Sequence, residues 1–198
     1  MSWLSVVLFA AAAGIYTGAI MLVDALKDTS LQDIGISYEW WVIFAVIIVV
    51  NCKKGREAAL KCFAFFFISQ PLVFAVEVLF GSLTVDLAVD YYLIWLPMIV
   101  LTLPGGFIAY CCKKQNALGA VILGLGNTIQ ALFGVHYLGQ ALADFPHHLL
   151  SSAVCFGSIL LMSCEIQREK KNSLLSLLVP LALTAFLLVL AKLSGRVI

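Results

Sequence analysis

The chain has 198 residues, 63% of them hydrophobic and only 12% charged, with a mean hydropathy of +1.05 and a net charge of +1. About a quarter of a soluble domain is charged, so most of this chain has no water to face. That excludes a nucleic-acid-binding surface, which needs Lys and Arg clustered on a folded soluble face.

Apolar runs near the spanning length of about 20 residues predict an all-α, single-domain membrane bundle. Seven spans are expected, at about 3–25, 37–53, 57–80, 92–112, 117–140, 146–166 and 173–193. The first run, "MSWLSVVLFAAAAGIYTGAIMLV", lacks a basic leader and reads as a retained helix. Its Ala10, Gly14 and Gly18 recur every fourth position, the pattern of a packing seam. Asp24 near its outer end reads as a solvated interface charge. The second run, "WWVIFAVIIVVN", is the shortest. It spans only if Trp40 and Trp41 sit in one interface and Lys53 and Lys54 snorkel from the other.

The third run, "CFAFFFISQPLVFAVEVLFG", carries Gln70, Pro71 and Glu77 among apolar residues. Proline has no N–H for the carbonyl of Phe67, and in hydrocarbon a freed carbonyl needs a donor. Gln70 and Glu77 are seven residues apart and share a helix face, with Phe63, Phe66 and Phe74 close to it. The fourth run repeats the pattern with Pro97 and Pro104, the second followed by Gly105 and Gly106. These predict a kinked or locally unwound helix, with Thr102 placed to satisfy the carbonyls of Leu93 and Val100. In the fifth run Asn127, Gln130, Gly134 and Tyr137 fall on one face, and His136 points away. Gly119, Gly124 and Gly126 permit close helix approach there. Three successive spans therefore put amides or helix breaks at mid-membrane depth, as carriers with discontinuous helices do; the alternative is that the amides bond helix to helix and the prolines only kink.

The sixth run opens with "ADFPHHLLSS". Asp144, His147 and His148 could join Asp86 or Asp90 in a metal site. The competing expectation is a helix start, with Asp144 in the capping region, Pro146 in the first turn and the histidines at the headgroups.

Charge sets the expected orientation. With the N-terminus inside, Lys53, Lys54, Arg56, Lys61, Lys113, Lys114, Arg168, Lys170 and Lys171 lie on the inner side, and Lys27, Lys192 and Arg196 outside. The excess of inner Lys and Arg predicts seven spans with the C-terminus outside. The outward Lys192 and Arg196 leave a six-span alternative in which the last segment fails to cross. None of the six cysteines falls in an outer loop, which argues against a disulfide framework. Cys52 and the Cys111–Cys112 pair adjoin lysines, a setting for metal binding or acylation, or simply small residues at helix ends.

The stretches "NCKKGREAALKCFAFFFISQP" and "LTLPGGFIAY" resemble an uncharacterised group of small polytopic proteins of Gram-positive bacteria. The resemblance implies a bacterial cytoplasmic membrane and brings no chemistry with it. Seven spans with an odd linker helix also suit a three-plus-one-plus-three carrier.

No Walker loop, HExxH or Gly-x-Ser-x-Gly element is present, and no cofactor is called for. The first reading is a small-solute transporter, or the membrane-embedded binding subunit of one. Its midplane site would come from Gln70, Glu77, Asn127, Gln130 and Thr102, walled by Phe66 and Phe74. The expected partners are the lipid bilayer, a small-molecule substrate, and a partner ATPase or further copies of the chain. The second reading is an accessory or assembly protein whose polar groups only glue helices. The third is an intramembrane enzyme using Glu77 with His147 or His148.

Overall fold

The structure, a computed structural model, describes residues 1–36 and 38–194. Arg196 therefore lies outside the described residues, as does Ser37 within the expected second span. Among the described residues there are helices and no strands. The elements are α1 (Trp3–Met21), a 3₁₀ turn (Asp24–Leu26), α2 (Ser30–Ile36), α3 (Tyr38–Val50), α4 (Gly55–Leu79), α5 (Val85–Tyr110), α6 (Ala117–Ala143), α7 (Leu149–Ile166) and α8 (Lys170–Leu193). A second 3₁₀ turn, Cys111–Lys113, joins α5 to α6. Six of these helices, α1 and α4 to α8, are long and apolar enough to cross a membrane.

The helix that falls short is α3, at 13 residues. It rises about 20 Å against a hydrocarbon core of about 30 Å. The six-span alternative had doubted the last segment instead, yet α8 has 24 residues and the highest hydropathy of the six. Three other boundaries moved. Helix α5 starts at Val85, not near 92, because Asp86 and Asp90 stay exposed in its first turns, where the positive helix end favours acids. Helix α6 runs on to Ala143. Helix α7 starts at Leu149, so Pro146 lies in the connection rather than the first turn.

The chain forms two compact units, Met1–Tyr110 and Cys111–Ile198. In the first, Ser2 caps α1 by accepting from the Ser5 N–H at 3.0 Å. The expected seam on α1 is present. A Cβ built on Gly14 would lie 2.5 Å from the Ser69 carbonyl oxygen, and one on Gly18 would lie 2.7 Å from Val76 Cβ. Only glycine lets the two backbones come this close. Lys61 Nζ donates to the Met1 carbonyl at the other end of the same contact. Rising numbers on α1 thus meet rising numbers on α4, and the two helices run parallel.

Parallel neighbours require the connecting chain to return to the level where α1 began. It does so through α2 and α3. The Tyr16 hydroxyl donates to the Leu31 carbonyl near the far end of α1 (3.2 Å), and the Met1 amino group donates to the Asn51 carbonyl at the near end (3.2 Å). Between them Trp41 packs on Phe66 and Phe65, and Phe44 on Phe9 and Phe65. This aromatic cluster surrounds Phe65, which is fully buried with Val6, Ala10, Ile48 and Ala58.

In the second unit Asn116 caps α6 by accepting from the Gly119 N–H at 2.9 Å. Helix α7 runs antiparallel to α6: Ser152 Oγ donates to the Gly134 carbonyl (3.0 Å) and Asn127 Nδ2 to Ser163 Oγ (3.1 Å). Helix α8 therefore begins beside the start of α6 and runs parallel to it. A Cβ on Gly124 would meet Val179 Cβ at 2.6 Å. Of the glycines expected to thin α6, Gly119 and Gly124 make close contacts, whereas a Cβ on Gly126 meets nothing within 4 Å.

Candidate functional site

Of the sequence-derived site residues, Gln70, Glu77, Thr102, Phe66 and Phe74 belong to the first unit, and Asn127 and Gln130 to the second. Each group is described within its own unit.

Gln70 and Glu77 lie on α4 and are half-buried. Among the described residues of the first unit, neither side chain has a hydrogen-bond or ion-pair partner. The expected aromatic wall divides. Phe66 packs on Trp41 of α3 (5.7 Å), Phe74 lies 6.3 Å from Tyr91 of α5, and Phe63 stacks on Phe67 (5.5 Å).

Neither α4 nor α5 is unwound at its prolines. Helix α4 is continuous through Pro71, and α5 is continuous through Pro97, Pro104 and the glycine pair. Each proline removes one bond from a long ladder, and opening further backbone groups in an apolar setting costs more than that bond. All three prolines are exposed. Thr102 Oγ1 donates to the Ile99 carbonyl (2.6 Å), not to those of Leu93 or Val100. Gly106 has a packing role: a Cβ there would sit 3.1 Å from Ala59 Cα on α4.

Asn127, Gln130, Gly134 and Tyr137 are all buried and His136 is exposed, which is the face expected for α6. What the sequence reading missed is the matching polarity of its neighbours. Helix α7 buries Ser151, Ser152 and Ser163, and α8 buries Asn172, Ser176, Pro180 and Thr184. The signal was present as spacing every fourth residue on α8, hidden inside the most hydrophobic of the spans. Asn127 is bonded to Ser163, Thr128 Oγ1 donates to the Gly124 carbonyl (2.9 Å), and the Thr184 hydroxyl is buried with no partner among the described residues.

The basic ends hold two further networks. Lys61, only 2% exposed, pairs with Glu57 at 2.5 Å and lies 5.6 Å from the Trp3 ring. In the second unit Gln167 Nε2 donates to the carbonyls of Cys112 and Lys114, while Gln115 Nε2 donates to the Ile166 carbonyl and Gln115 Oε1 accepts from the Arg168 N–H. These paired glutamines tie the α5–α6 connection to the α7–α8 connection. Asp33 on α2 and Glu39 at the start of α3 are buried.

At the α6–α7 turn the three metal candidates diverge. His147 Nδ1 lies 2.9 Å from Asp144 Oδ2, whereas His148 stacks on Tyr137 at 5.6 Å. Among the described residues no three His, Cys, Asp or Glu side chains are grouped as metal ligands would be. All six cysteines are free thiols, with Cys52, Cys62, Cys112 and Cys155 buried. In the turn after α1, Lys27 pairs with Asp24 and holds its carboxyl below its usual range by hydrogen bond and charge.

The chain belongs to the class of multi-helix proteins able to cross a membrane several times. No protein-family model, no curated protein and no solved structure matches it.

Proposed function

We propose that the protein is a small-solute transporter, or the membrane-embedded binding subunit of one, in a bacterial cytoplasmic membrane. The observation that carries this reading is the polar interior of the second unit, where three apolar helices turn Asn127, Gln130, Ser151, Ser152, Ser163, Ser176 and Thr184 inward. Of these the Thr184 hydroxyl has no hydrogen-bond partner among the described residues, and an unmatched polar group buried in an apolar setting costs about 1–3 kcal/mol. Helix adhesion needs few such groups, since small-residue seams like that of α1 and α4 already achieve close packing.

Seven crossings, with the N-terminus inside and the C-terminus outside, form part of the proposal. The parallel packing of α1 and α4 supports it, because α2 and α3 then make the second crossing together. So does charge: the connections before α4, before α6 and before α8 carry the Lys and Arg clusters, and these alternate connections share one side if every helix crosses.

The accessory-protein reading has one specific observation in its favour, the direct Asn127–Ser163 bond, which uses an amide for packing. Uptake decides between them. Purified protein in liposomes should accumulate or equilibrate at least one member of a labelled metabolite panel faster than empty liposomes do. A folded protein with no flux and no co-purifying ATPase would overturn the transport reading.

A further inference from the structure

We propose that the buried seam between α6 and α8 is a binding site for an uncharged, hydrogen-bonding solute, met by the Thr184 hydroxyl and the Ser176 carbonyl; this rests on the transport reading above.

Two independent features of α8 point to a ligand. The first is Pro180, which is fully buried, unlike the exposed Pro71, Pro97 and Pro104. It has no N–H for the carbonyl of Ser176, four residues earlier on the same buried face. Here alone a proline frees a backbone acceptor towards a packed interior. The second is Thr184, one turn further along that face. It is 7% exposed, and its Oγ1 has no hydrogen-bond partner among the described residues. A hydroxyl can donate and accept, so the seam offers both kinds of group.

Depth joins these groups to α6. Val179 meets Gly124, and the two helices are parallel. Thr184 lies five residues, about 7.5 Å, beyond Val179. It therefore sits at the depth of Thr128 and Gln130, both buried on α6.

Charge selects the ligand class. The buried polar side chains of the second unit are amides and hydroxyls. Its described Asp, Glu, Lys and Arg residues are at helix ends or in connections, and none is buried. An ion taken into such an interior would lose its hydration without gaining a countercharge. A neutral polyol, sugar or amide would exchange hydrogen bonds with water for bonds to the hydroxyl and carbonyl.

Solute access to Thr184 can be measured without knowing the substrate. Thr184→Cys and, as a lipid-side control, Leu181→Cys (Leu181 is 66% exposed) would be reconstituted in liposomes as full chains. Each would be treated with uncharged methyl methanethiosulfonate or with its sulfonate or trimethylammonium counterpart. Mass spectrometry would read modification peptide by peptide, so the native cysteines can stay. The thiolate, which forms only where water reaches, attacks the sulfenyl sulfur of these reagents, forming a mixed disulfide and releasing methanesulfinate. The expected result is modification at position 184 by the uncharged reagent at least tenfold faster than by either charged one, and faster than at position 181. Equal reaction with a charged reagent would overturn the neutral class and leave transport standing. No reaction with any reagent, in protein that elutes and melts like Thr184→Ser, would make the seam closed packing and overturn this site, while flux in the liposome assay decides the transport reading separately.

Discussion

Replacing Gly14 with alanine adds one methyl group at the tightest helix contact in the first unit. That methyl carbon would begin 2.5 Å from the Ser69 carbonyl oxygen, 3.0 Å from Leu72 Cβ and 3.1 Å from Ser69 Cα. Two of these three atoms are backbone, so no side-chain rotation relieves the overlap. Ordinary contact needs roughly 3.4 Å or more, and α1 must retreat from α4 by about 1 Å, loosening the seam through Gly18 and Ala10 as well. Overpacking of this kind costs about 1–3 kcal/mol. Helix propensity opposes it, since alanine is better than glycine in a helix by about 1 kcal/mol. The clash should win, and Gly14→Ala should melt below wild type in detergent, by fluorescence-monitored unfolding. Gly126→Ala is the internal control: nothing lies within 4 Å of its Cβ, so propensity acts alone and that variant should melt higher. A Gly14→Ala protein melting at or above wild type would refute the parallel, glycine-mediated contact.

Other expectations concern single bonds. A double-mutant cycle on Asn127→Ala and Ser163→Ala should return a coupling of about 0.6–1.7 kcal/mol, the range for hydrogen bonds between membrane helices; a coupling of zero would remove the Asn127–Ser163 bond. Pro104→Ala should raise the melting temperature, because α5 is already continuous there and alanine restores an N–H for Val100; a lower melting temperature would mean that the proline shapes the packing. Lys27 lowers the Asp24 pKa, so any stability from the pair is present above the ordinary carboxylate pKa and is lost as pH falls through the lowered one. Both groups are exposed, so Asp24→Asn should leave melting unchanged between pH 5 and 8; a clear drop would show the turn to be held by charge.

The architecture was legible where one helix face carried a simple period. The Ala10–Gly14–Gly18 spacing marked a packing face of α1, though not α4 as its partner, and the Asn127–Gln130–Gly134–Tyr137 face of α6 is buried as its period required. Proline was the misleading signal. Pro71, Pro97 and Pro104 stand out in sequence but face outward from uninterrupted helices, because a hydrocarbon setting penalises any opening beyond the one lost bond. Pro180 is buried on a polar face and drew no notice within an otherwise leucine-rich run. Lys61 misled in a different way. Its charge placed it with the inner-side cluster, and only the tertiary fold shows that it is buried. The short second segment was correctly singled out, but its return across the level of α1 depends on a preceding helix, α2, that composition does not reveal.

The proposed topology depends on α4, α6 and α8 starting from the same side of the membrane. Cysteine accessibility tests that most directly, using single cysteines at positions 86, 144, 114 and 170 in a chain freed of its native thiols and an impermeant thiol reagent applied to intact cells. Labelling at 86 and 144, with protection at 114 and 170 until the membrane is opened, is the predicted result. The reverse pattern, or labelling of 114 together with 144, would contradict the topology.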